Sequence, residues 1–100
     1  MLFDLNALGA ELPEAWRSRV LGRVGVANIK VLRMDPRSVE EETHDYSEGL
    51  LVISGLLRLE VAGEVIDVRA GQLYQAAAGV PHRVLAGSEG TLVIIDLPEG

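Results

Sequence analysis

Apolar residues recur along this chain with a period of two, in short runs interrupted by glycine and proline. Leu57, Leu59 and Val61 alternate with Arg58 and Glu60, the pattern of a strand with one buried face. Ala62-Gly63 then predicts a tight turn into Glu64–Val68, and so a hairpin. Arg19–Arg23 and Val26–Met34 read as strands, with Asn28, Lys30 and Met34 on one face and Ile29, Val31 and Arg33 on the other. Asp35-Pro36-Arg37-Ser38 is a turn signal. Leu50–Ile53 is a short apolar strand ended by Ser54-Gly55. Leu73–Ala76, His82–Ala86 and Thr91–Leu97 complete the set, separated by Ala70-Gly71, Ala78-Gly79-Val80-Pro81 and Gly87-Ser88-Glu89-Gly90. Many short strands broken by turn residues predict an all-β sandwich or barrel.

The N-terminal part breaks this rhythm. Asp4–Leu12 shows no clean period, while Pro13-Glu14-Ala15-Trp16-Arg17 predicts a single helical turn, because proline suits the first helical position. Such a turn buries little alone, so Trp16 is expected to anchor it against the barrel. The expected organisation is one domain over 1–100, with an N-terminal segment at 1–18 and a barrel core at 24–97. One hundred residues leave no room for a second core.

Composition narrows the function classes. Hydrophobic residues make up 48% and charged residues 24%, enough for a core and against wholesale disorder. The formal net charge is −6 with a single lysine, which argues against nucleic acid and against anionic membrane surfaces. Without cysteine, disulfides and thiolate chemistry are excluded, and any metal would need nitrogen and oxygen ligands. The N-terminus lacks the basic residues of a signal peptide, and no apolar run reaches membrane-spanning length, so a cytoplasmic protein is expected. The run Glu40-Glu41-Glu42 reads as a solvated loop.

The candidate chemistry lies with the only two histidines, His44 and His82. Glu42, His44, Tyr46 and Glu48 share parity; in an unbroken strand they would face one way, with Tyr46 a possible hydroxyl donor at the rim. The simpler alternative leaves the histidines in ordinary hydrogen bonds and pairs Glu48 with Arg58 or Arg83 in a surface ion pair worth ~0–1 kcal/mol.

Over Val24–Leu97 this arrangement resembles the cupin superfamily. Glu48 followed by six residues and Gly55, with three residues between His44 and Glu48, is similar to the first cupin motif, and Glu42 stands where that motif carries its first histidine. Gly71, Gly79 and His82 match the second motif, with Ala77 in place of its proline and Ala86 in place of its asparagine. A second register, with four residues before the glutamate, would set Thr43 in the second histidine position and displace His44. The segment Leu12-Pro13-Glu14-Ala15-Trp16 also looks like that of small single-domain bacterial cupins.

The resemblance implies a double-stranded β-helix, or jelly-roll barrel, holding one divalent metal. Transferred residue by residue, the ligands would be His44, Glu48 and His82, with Glu42 in place of the missing imidazole. Two histidines and a carboxylate suit non-haem Fe(II), and a second carboxylate favours Mn(II) or Fe(II), with Zn(II) and Ni(II) also compatible. The function expected is that of a small metal-dependent cupin acting on a small molecule by dioxygenase, isomerase or decarboxylase chemistry, with Glu42 or Tyr46 moving protons. The alternatives are a non-catalytic ligand-binding or sensing barrel and a structural subunit with a vestigial cavity. A homodimer is expected, since pairing covers exposed edge strands.

Overall fold

Period-two burial along antiparallel strands accounts for most of the chain. In the computed structural model, which describes residues 1–98, one helix, α1 (Leu5–Glu11), precedes eight strands. These are β1 (Arg19–Val24), β2 (Ala27–Met34), β3 (Val39–Glu42), β4 (Glu48–Val61), β5 (Glu64–Arg69), β6 (Leu73–Ala76), β7 (His82–Val84) and β8 (Glu89–Asp96). All pairings are antiparallel, in the order β1-β2-β8-β4-β7-β3, with β5 and β6 also pairing with β4.

The long strand β4 makes this a curled sheet rather than a flat one. Its first half pairs with β6 and β8, and its second half with β5 and β7. Between the halves lies a bulge at Val52/Ser54, followed by Gly55 at φ 81° opposite Gly90 at φ 102°. A bulge bends and twists its strand, which here lets one strand serve both layers. The apolar positions that face inward, among them Leu32, Met34, Leu50, Val52, Leu57, Leu59, Val68 and Leu92, form the core between the layers. Deleting one such leucine side chain typically costs about 2–5 kcal/mol, so these positions carry much of the stability.

Three expectations change. Leu50–Ile53 and Leu57–Val61 are one strand, because Ser54-Gly55 bends the chain without ending its pairing. The Glu40-Glu41-Glu42 run is not a loop but belongs to β3, which pairs with β7. Its glutamates are exposed, as suits a sheet edge protected by charge. The helix lies at Leu5–Glu11, not at Pro13–Arg17. Asp4 caps it by accepting from the Ala7 N–H at 3.1 Å, and α1 packs on β2 and β8, with Gly9 against Thr91.

The segment after the helix is irregular but well tied. Arg33 Nε donates to the Leu12 carbonyl at 3.2 Å, and the Trp16 N–H donates to the Arg33 carbonyl at 2.8 Å. The Trp16 indole N–H donates to Asp35 Oδ1 at 2.8 Å while its ring packs on the core. The expected anchor is therefore present, without the helical turn. Among the described residues, no helix is long and apolar enough to cross a membrane.

Candidate metal centre

Four side chains, from β3, the loop after it, β4 and β7, meet at one end of the barrel. Glu42 ends β3 and stands opposite His82 on β7, which also pairs with Val61 of β4. Glu48 opens β4 opposite Ala76 of β6. Residues 43–47 form a loop rather than an extended strand, so parity is not what aims His44 inward. The loop is held instead by its neighbour: the Gly79 N–H donates to the His44 carbonyl at 2.7 Å, and the Ala78 N–H to Ser47 Oγ at 3.3 Å. Both motif segments are thus stitched together by the backbone that carries the second one.

His44 Nε2 lies 3.4 Å from Glu42 Oε2 and 3.7 Å from Glu48 Oε2. His82 Nε2 lies 3.4 Å from Glu48 Oε1 and 4.0 Å from Glu42 Oε2. One ligand atom from each of the four residues lies within 4.8 Å of all the others. Donors sharing one ion at about 2.1 Å stand ~3.0 Å apart when cis in an octahedron and ~4.2 Å when trans. The four measured separations fall in that interval, so the residues fit a mononuclear divalent ion after a small contraction. Glu48 and His82 are buried, His44 is mostly so, and the Glu42 side chain is 54% exposed.

The register with His44 in the motif position is the one the fold adopts, since Thr43 is exposed and outside the cluster. The arginine alternative for Glu48 fails: Arg58 pairs with Asp67 at 3.2 Å and Arg83 with Glu60 at 2.6 Å. Tyr46 stacks on His44, with ring centroids 5.0 Å apart and planes 19° apart, and is not among the residues lining the cavity.

Electrostatics bind the pair His82–Glu48 closely. The Glu48 carboxylate accepts a hydrogen bond from His82 and holds that imidazole above its ordinary value of 6.5, against the opposing effect of burial. The Glu48 charge, the Val80 backbone and the Glu42 charge add to the rise.

The cluster opens onto a cavity of about 240 Å³ inside the barrel. Trp16 and Ser18 reach it from the N-terminal segment, and Lys30 of β2 and Asp96 of β8 line it as well. The sequence reading passed over Lys30 and Asp96. The signal was available: Lys30 shares parity with the inward Leu32 and Met34, and Asp96 with the inward Leu92, so both are charges on a buried face.

Comparison with known proteins agrees with this architecture. No curated protein matches the chain in sequence. A cupin-2 domain containing protein from Shewanella frigidimarina shares 22% identity at a TM-score of 0.88, over 97% of this chain and 95% of its own. A Neisseria meningitidis protein shares 20% identity at a TM-score of 0.83, over 98% of this chain and 100% of its own. A second S. frigidimarina protein, an RmlC-like cupin, shares 19% identity at a TM-score of 0.70, over 82% of this chain and 75% of its own. These likenesses are ones of fold, and they identify the curled sheet as a cupin jelly roll. The Cupin domain family model matches residues 30–98, from the middle of β2 to beyond β8. With its jelly-roll barrel and two-thirds of its length within that match, the chain belongs to the cupin domain family.

Proposed function

We propose that this cupin binds one divalent metal ion through His44, His82, Glu48 and Glu42 and uses it to act on a small molecule held in the barrel. The observation that carries the reading is the convergence of four nitrogen and oxygen donors within 4.8 Å at the wall of an internal cavity. Two imidazoles and two carboxylates are a donor set for Fe(II) or Mn(II) first, with Zn(II) and Ni(II) also accommodated. When bound, the ion would supply Lewis acidity at a substrate oxygen.

The chain's own residues supply the rest. His44 and His82 present their Nε2 atoms, and Tyr46 packs on the His44 ring to hold its direction. Glu48 is buried between the two imidazoles and is the fixed carboxylate of the set. Glu42 is the half-exposed carboxylate of the set, the ligand most open to exchange with solvent or a substrate oxygen at the cavity mouth. Inward leucines give the cavity an aliphatic wall, which strengthens the polar contacts made against it. Isomerase, decarboxylase and dioxygenase chemistry all use such a site. The reading favours turnover over passive binding because Glu42 combines ligand distance with solvent access.

The test is thermal unfolding of metal-free, untagged protein titrated with Mn(II), Fe(II), Zn(II) or Ni(II). At a hundredfold excess over the dissociation constant a bound ion adds about 2.7 kcal/mol, reversed by chelator. The pH dependence has a definite sign. In the metal-free protein, the stabilisation from the raised His82 is fully present below pH 6.5 and is lost as pH rises through the raised value. Metal needs the neutral imidazole, so the stabilisation by metal is expected to grow as pH rises over that same range. A metal effect that is absent, or that weakens with rising pH there, would contradict the proposal.

A further inference from the structure

Beside the metal cluster lies a second polar constellation that contributes no ligand to it. Lys30 Nζ donates to Asp96 Oδ2 at 2.8 Å, and Asn28 Nδ2 donates to Asp96 Oδ1 at 3.2 Å. The lysine side chain is only 22% exposed, and Asn28 and Asp96 are buried. Asn28 Oδ1 is buried and accepts no hydrogen bond from a described residue. Such groups are poor stabilisers. A buried unsatisfied acceptor is destabilising, and a buried ion pair is often no better than apolar side chains of the same volume.

Register places this trio next to the metal centre. Gly49 of β4 faces Ile95 of β8, so Glu48 and Asp96 are the next residues along neighbouring strands. Both line the same cavity, and Lys30 lines it too. An ammonium group carries three donors, and among the described residues Asp96 is the one partner seen for them. Lys30 is also the only lysine or arginine among the residues lining the cavity.

Charge and size then restrict what fits. With a divalent ion cancelling Glu42 and Glu48, and Lys30 cancelling Asp96, the single charge left on the lining is the negative one on Glu40. A dianionic phosphate would enter a cavity with no spare positive charge and no arginine fork to receive it. The volume of about 240 Å³ lies just below the ~300–1,000 Å³ of pockets that hold drug-sized ligands, so the cavity suits a small molecule. Between the polar groups the lining is aliphatic, from Leu32, Leu50, Leu57, Leu59 and Leu92.

We infer that Lys30, held by Asp96 and Asn28, is the substrate-positioning group of this cavity, and that its ligand is a small, unphosphorylated hydroxy or oxo compound, neutral or singly charged. One ligand oxygen would lie at the metal and a second would accept from the Lys30 ammonium. The inference rests on the metal reading above, and its test separates the two.

The experiment uses the full chain loaded with Co(II), whose visible bands report the coordination shell. Fluorescence of Trp16, the single tryptophan and part of the cavity lining, reports occupancy. Lactate at millimolar concentration is expected to change both signals, and glycerol 3-phosphate to bind at least about tenfold more weakly. Lys30→Met is expected to weaken lactate binding by about tenfold or more, the loss of one charge-assisted hydrogen bond, with Co(II) binding retained. Because that variant leaves Asp96 buried without its cation, Lys30→Met/Asp96→Asn is the second variant. It removes both charges and is expected to fold, bind Co(II) and show the same loss for lactate. Unchanged lactate binding in the variants overturns the role of Lys30, and so does a wild-type protein that ignores lactate or prefers the phosphate. Failure of wild-type protein to bind Co(II), read before any ligand is added, overturns the metal reading itself.

Discussion

Replacing His82 with alanine is expected to lower the affinity for Co(II) or Zn(II) by about a thousandfold, the largest effect of any single substitution at the site. Changing a group that merely orients a ligand typically costs about 10–100-fold, and His82 is placed as a ligand itself, so its loss should exceed that range. Its Nε2 lies 3.4 Å from Glu48 Oε1 in a buried setting, and its loss leaves a single imidazole in the set. The same truncation strips Glu48 of one of its two imidazole partners. Glu42→Gln should be far milder, about tenfold, because that side chain is half exposed and its amide oxygen can still donate a lone pair. Competition against a chromophoric chelator measures both. An affinity of His82→Ala within a few-fold of the wild type would remove His82 from the ligand set.

Gly55→Ala and Gly90→Ala are each expected to destabilise the fold by about 3 kcal/mol or more, a large share of the 5–15 kcal/mol typical of a domain. The two glycines face each other where β4 crosses from one layer to the other, at φ 81° and 102°. A Cβ on Gly55 would collide with the Glu89 carbonyl oxygen, and one on Gly90 with the Ser54 carbonyl oxygen. Backbone cannot yield as a flexible side chain does, so the clash adds to the conformational penalty of roughly 1–2 kcal/mol for an L-residue at positive φ. Gly79 separates the two contributions. It also has positive φ, but a Cβ there meets nothing within 4 Å, so Gly79→Ala should cost only the conformational part. Urea unfolding midpoints distinguish the cases, and equal losses at Gly55, Gly90 and Gly79 would refute the steric account. The consequence reaches the site, because Glu48 sits at the start of the strand that this crossing bends.

Residue patterns carried the fold further than they carried the site. Alternation identified the β4–β5 hairpin, and Ala62-Gly63 does turn there, with both residues at positive φ. What alternation could not show is that Ser54-Gly55 bends a continuous strand. A bulge and a turn draw on the same residue types and differ only in the partner strand, here β8. The three exposed glutamates of β3 hid a strand because edge pairing to β7 leaves no apolar signature. The helix at Leu5–Glu11 was missed for a related reason. Its one fully buried residue is Gly9, where contact with Thr91 replaces the usual apolar stripe.

At the site, motif spacing identified Glu42, His44, Glu48 and His82, and the structure brings these four together. The parity argument that accompanied them does not describe how His44 arrives, since a loop tied to Gly79 aims it. Tyr46, grouped with them by the same parity, stacks on the His44 ring and is not among the residues lining the cavity. Lys30 and Asp96 lie 66 residues apart in sequence and meet only through the β2–β8 pairing, so no local pattern joins them.

The most direct test of the central claim is X-ray absorption spectroscopy on the protein loaded with one equivalent of Fe(II) or Zn(II). The account predicts a single ion per chain bound by two imidazoles and one or two carboxylates, with nitrogen and oxygen neighbours at about 2.0–2.2 Å and no metal–metal scattering. A shell without imidazole scattering, or one unchanged in His44→Ala/His82→Ala, would contradict it.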